Sequence, residues 1–125
     1  GGVALIGVGE SDADNRAVDS VEKAINNPLI DCGISEATGA LINISGGESL
    51  TLDESRKIIE TVAGRLDDHA KIIWGAQIYK DLDKTIRTTL IITGVHSEQI
   101  FGENNKYFAK KKASAKSELG IEFMD

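Results

Sequence analysis

The chain has 125 residues, of which 41% are apolar and 27% charged, the size and composition of one globular domain built on a single core. No apolar run approaches the roughly 18 residues that cross a bilayer as a helix, and the first residues lack the charged-then-apolar form of a secretory leader. The net charge of −6 is carried by residues 1–97, with nine basic and fifteen acidic side chains against five of each in 98–125; that body repels polyanions, so nucleic acid is not an expected partner.

Gly2 to Gly9 reads as a buried strand, short, apolar and punctuated by glycine. A helix is predicted from Ser11 or Asp12, with acids in its first turn and Val18, Val21, Ala24 and Ile25 at helical spacing. Asn27-Pro28 stops it, because proline disfavours helical geometry in the residue before it. A linker containing Gly33 and Gly39 leads to a second strand, Ala40 to Ile44. Thr51-Leu52-Asp53-Glu54 has the form of a capping box, and Ile58, Ile59, Val62 and Leu66 give the helix it opens an inward stripe. Strands follow at 71–79 and 85–93, and Lys80 to Lys84 has a length suited to a hairpin. The order βαβαββ defines an α+β two-layer sandwich of one sheet and two helices. All four strands are apolar at consecutive positions, so both sheet faces ask for cover that two helices cannot provide. A fragment or an obligate partner is implied.

After Ser97 periodicity fades. Residues 97–125 read as a flexible tail or weak helix with a lysine cluster, Lys110 to Lys112 and Lys116, and an apolar end at Leu119, Ile121, Phe123 and Met124.

The stretch "LINISGGESLTLDES" (41–55) runs from strand through two glycines to a helix, the outline of a phosphate loop. It fails as a self-contained one. Three residues separate Gly47 from the N-cap Thr51, the capping box occupies amides a phosphate would need, and Glu48, Asp53 and Glu54 are acidic with no lysine in place. "GVGES" (7–11) is a second strand-to-glycine turn followed by acids. His69 and His96 have no partner at metal-ligand spacing, and no nucleophile triad is visible. Cys32 is the only cysteine, which agrees with a reducing compartment and a passive thiol. The chain alone is expected to be no enzyme, with no cofactor and no metal.

Four linked motifs, "ALIGVGES", "RAVDSVEKAINNPLID", "GALINISGGESLTLDE" and "IIWGAQIYKDLDKTIRTTLIITG", resemble the C-terminal domain of FtsZ, the tubulin-like division GTPase, in its archaeal form. The resemblance covers residues 1 to about 95. It implies a four-stranded mixed sheet of order 1-4-2-3 with both helices on one face, a C-terminal polymerisation domain over 1–96, and a tail over 97–125. The family's glycine-rich nucleotide loop and its N-x-D-x-x-D synergy loop are absent from this sequence. GTP and Mg would therefore belong to the parent protein, in the cytoplasm at the division site. A long helix between the two domains would cover the open sheet face.

By position, Glu48, Ser49, Leu52 and Arg56 would lie on the longitudinal contact with the neighbouring subunit's GTP site, with Gly46 and Gly47 shaping the loop. The expected partners are the chain's own N-terminal GTPase domain, further FtsZ subunits in a filament, and membrane-tethering division proteins through Leu119, Ile121 and Phe123 in the tail. Two rival readings stand beside this one: a stand-alone regulatory or oligomerisation sandwich, and a small enzyme with its site between subunits.

Overall fold

Period-two alternation divides the strand side chains between two faces, and among the described residues only one face is covered by helices. The computed structural model describes residues 3–95. Strands β1 (Val3–Ser11), β2 (Gly39–Gly46), β3 (Lys71–Ile78) and β4 (Ile86–Val95) alternate with helices α1 (Arg16–Ile25), α2 (Pro28–Gly33) and α3 (Leu52–Ala63). The sheet order is β1-β4-β2-β3. β4 is antiparallel to both neighbours, while β2 and β3, joined through α3, are parallel. The α+β two-layer sandwich and the 1-4-2-3 order are as the resemblance implied.

One core holds Leu5 of β1, Ile42 and Ile44 of β2, Leu90 and Ile92 of β4, and Val21, Ile25, Ile30, Ile58 and Val62 of the helices. α1 is tied to the central strand by a buried hydroxyl pair, Ser20 Oγ and Thr88 Oγ1 at 2.9 Å; with Ser20 donating to the Ala17 carbonyl, Thr88 is the donor of that pair. That satisfies two hydroxyls which would otherwise weaken the core.

Several details depart from the sequence reading, among them the start of α1, which is Arg16 rather than Ser11 or Asp12. The Lys80–Lys84 connection is not a hairpin. Among the described residues β3 pairs with β2 alone, and the chain steps across the end of β2 to enter β4 on its other side. Two strand spacings are roughly 10 Å, within reach of five residues, so length does not distinguish a hairpin from this hop. The predicted linker contains a third helix, α2. Asn27-Pro28 ends α1 but also begins α2: the Asn27 side chain accepts from the Leu29 amide, and Pro28 occupies the first turn, where its missing N–H costs nothing. Val18 is exposed, and Ala17 and Ser20 take the inward positions. Finally, "GVGES" is strand through Ser11 rather than a turn.

Gly7 and Gly9 explain that last difference. A Cβ on Gly7 would overlap the Ala24 carbonyl oxygen, and one on Gly9 the Ser20 carbonyl oxygen. The glycines let the α1 backbone lie directly on β1. Gly9→Ala must push α1 outward, and overpacking of this kind costs about 1–3 kcal/mol; a lower denaturation midpoint of the chain in urea is the expected result.

The opposite face has no helix on it among the described residues. The pairing registers place Ile6, Ile91, Leu41 and Ile73 in one row across all four strands, and Glu10, Arg87, Ser45 and Gln77 in another. Leu41 and Ile73 are exposed, Ile73 at 67%.

Candidate functional site

The end of β2 is where three segments meet. Gly46 and Gly47 close the strand, the loop 48–50 follows, and Thr51 caps α3. The hydroxyl of Thr51 accepts from the Glu54 amide at 3.1 Å, and the Glu54 carboxylate accepts from the Thr51 amide at 3.0 Å, the reciprocal pair that the sequence predicts. The connection from β3 to β4 runs alongside. Tyr79 donates its amide to the Gly46 carbonyl at 2.8 Å, and Asp83, at φ 50°, places its backbone against Gly47. A Cβ on Gly47 would overlap the Asp83 carbonyl oxygen. Gly47 is therefore required by a chain crossing, whereas a Cβ on Gly46 would press on the Leu50 side chain.

Arg16, at the start of α1, joins these segments. Its guanidinium pairs in bidentate fashion with Glu54, at 2.6 and 2.8 Å, and donates to the Ser49 hydroxyl at 3.1 Å, the Ser49 carbonyl at 3.0 Å and the Lys84 carbonyl at 2.6 Å. The Arg16 and Glu54 side chains retain only 12% and 18% exposure. The Arg16 hydrogen bonds hold the Glu54 carboxyl below its ordinary value, against the opposing effect of burial, and Glu54 in turn raises the Arg16 pKa. No motif in the sequence signals this arginine, because its partners lie 33 to 68 residues away.

The structure separates the sequence-predicted residues. Gly46 and Gly47 are buried, whereas Glu48, Ser49, Leu52 and Arg56 are exposed, Leu52 at 86%. Leu52 also lines a shallow apolar recess with Ile59 and Trp74. Arg56 is engaged along α3 by Asp53 and by Glu60, and this pairing lowers the Asp53 pKa. Glu48 lies 3.8 Å from Lys80. Leu119, Ile121, Phe123 and His96 fall outside the described residues. Among the described residues, no group of three or more His, Cys, Asp or Glu side chains could hold a metal ion, and no helix is long and apolar enough to cross a membrane.

A mixed sheet of this order with the helices on one face defines a class, the α+β sandwich of tubulin-like proteins. The comparisons agree. Residues 2–96 match the model of the FtsZ family, C-terminal domain, and the chain belongs to that family. It is 48% identical over 121 residues to cell division protein FtsZ of Methanothermobacter thermautotrophicus, covering 94% of this chain and 32% of the relative. With FtsZ 1 of Methanocaldococcus jannaschii it shares 54% identity over 97 residues, 78% of this chain and 27% of the relative. The chain thus spans under a third of the length of these relatives. Among solved structures, the empty FtsZ dimer of M. jannaschii superposes with a TM-score of 0.71 at 53% identity, over 76% of this chain and 28% of that one. TubZ of Bacillus thuringiensis serovar israelensis, in GDP-form protofilaments, shares the fold alone, with a TM-score of 0.62 at 15% identity over 94% of this chain and 32% of that one.

The Glu54 pairing has a pH signature. Its folded pKa lies below the ordinary 4.5, so its stabilising effect is present above that value and is lost as pH falls through the lowered one. Gln at 54 can still form the capping box but carries no charge. Glu54→Gln should therefore lower stability at neutral pH and flatten its fall below about pH 4.5, as followed by denaturation midpoints from pH 7 to 3.

Proposed function

We propose that this chain is the polymerisation domain of a longer tubulin-like cell-division GTPase, acting in the cytoplasm at the division site. Residues 1–96 would form the domain, and 97–125 a tail whose Leu119, Ile121 and Phe123 dock on a membrane-tethering division protein. In this reading the outer row of half-buried Ile6 and exposed Leu41 and Ile73 packs against the protein's own N-terminal GTPase domain, which holds GTP and Mg. Hydrolysis belongs to the assembled parent, and this domain contributes one side of the contact that completes the neighbouring subunit's GTP site.

The observation that carries the reading is the end of β2. It is a glycine-closed, hydrogen-bonded loop presenting Glu48 and Ser49 beside an almost fully exposed Leu52. A leucine at 86% exposure on an otherwise well-capped helix suits burial against a second subunit. The dimer form of the M. jannaschii relative and the protofilaments of TubZ support assembly as the common theme.

Isothermal titration of this chain with Mg-GTP should give no heat of binding, whereas a micromolar dissociation constant would overturn the assignment of nucleotide to another domain. In the full-length protein, Leu52→Glu should reduce GTP-dependent filament formation while leaving folding within about 0.5 kcal/mol, because an acid in the first turn of α3 suits the helix dipole. Arg56→Glu should also reduce it by placing a like charge against an arranged interface. That variant carries an added stability cost of a few tenths of a kcal/mol per lost pair with Asp53 and Glu60. Pelleting assays across protein concentration check both. Normal assembly by a well-folded Leu52→Glu protein would remove the contact from this surface.

A further inference from the structure

Arg16 makes an unusual investment for a residue at the start of a helix. Its guanidinium reaches two carbonyls, one hydroxyl and both oxygens of one carboxylate on three separate segments. Two of those acceptors belong to Ser49, and the Lys84 carbonyl lies one residue beyond the Asp83 backbone that rests on Gly47. Ser49 also donates to the Asp83 carbonyl at 3.3 Å. The loop following β2 is thereby clamped between the α3 cap and the β3–β4 connection. The Leu50 amide donating to the Gly47 carbonyl at 3.0 Å and the Glu48–Lys80 pair at 3.8 Å add to these ties.

We infer that Arg16 is a positioning residue for the subunit contact. It does not meet the neighbour through its own surface; it holds Glu48 and Ser49 in the shape that docks. The inference rests on the proposed contact at 48–56 and adds a residue that the contact itself does not reveal. A planar fork that satisfies five acceptor atoms cannot be replaced by a lysine, whose single ammonium nitrogen carries three donors. Arg16→Lys keeps the charge and loses the geometry. Without the clamp the loop samples several shapes, and the docking partner must select one, which lowers apparent affinity.

The test uses the full-length protein with two readouts. Arg16→Lys should raise the critical concentration for GTP-dependent assembly about five-fold or more, the loss expected when charge-assisted hydrogen bonds no longer order a contact. Amide hydrogen exchange should quicken in segments 47–51 and 80–85 while β4 stays as protected as in the unmodified protein. Glu54→Gln, which keeps the capping box, should show the same local pattern more weakly, and it supplies the test if Arg16→Lys does not fold. Exchange that quickens equally in β4 would reduce Arg16 to a residue of general stability and overturn the inference. So would an unchanged critical concentration for Arg16→Lys while Leu52→Glu raises it, an outcome that leaves the contact surface intact. If neither variant alters assembly, the contact reading itself fails.

Discussion

The position of β4 organises the molecule. It is the last described strand in sequence, yet it lies between β1 and β2 and supplies the hydrogen-bonding partner of both. Without it, β1 has no neighbour and the parallel pair β2–β3 stands alone. Its inward residues Ile86, Thr88, Leu90 and Ile92 are fully buried, so the core closes only when β4 is inserted. Contacts between β1 and β4 join residues some 80 positions apart, the sort of long-range closure that slows folding.

The same insertion shapes the functional end. For β4 to enter on the far side of β2, the chain must cross the C-terminal end of β2. The crossing brings Asp83 onto Gly47, Tyr79 onto Gly46, and the Lys84 carbonyl within reach of Arg16. The loop that presents Glu48 and Ser49 is thus formed by a topological necessity of the sheet. An L side chain at 47 would force that crossing apart, which ties the glycine to the strand order rather than to any ligand.

Helices on a single face leave the sheet with two unlike surfaces. The inner one is an aliphatic core interrupted by the buried Ser20–Thr88 hydroxyl pair. The outer one grades from a row of Ile6, Ile91, Leu41 and Ile73 to a polar row of Glu10, Arg87, Ser45 and Gln77, where Arg87 and Glu10 pair at 2.6 Å. Strand β3 forms an edge with Ile73, Trp74 and Ile78 exposed. Such apolar area is more than solubility favours on an isolated domain, and it is consistent with membership in a family in which this chain spans under a third of the length of the relatives it matches.

Local chemistry was legible in the sequence because its causes are local. The Thr51–Glu54 capping box needs residues three apart, the strands announce themselves by apolar runs, and Asn27-Pro28 marks a helix boundary whichever side it serves. The surplus of apolar strand positions even announced a sheet with one face uncovered, and the family motifs carried the strand order with them. Pairing partners, close approaches and the hub at Arg16 were another matter. A five-residue connection fits a hairpin and a strand hop equally well, and nothing near Gly7 or Gly9 shows that a helix backbone will lie on them. An arginine whose acceptors are 33 to 68 residues distant leaves no periodicity to read. Those features depend on which segments meet in space, and that was decided by burying β4 between β1 and β2.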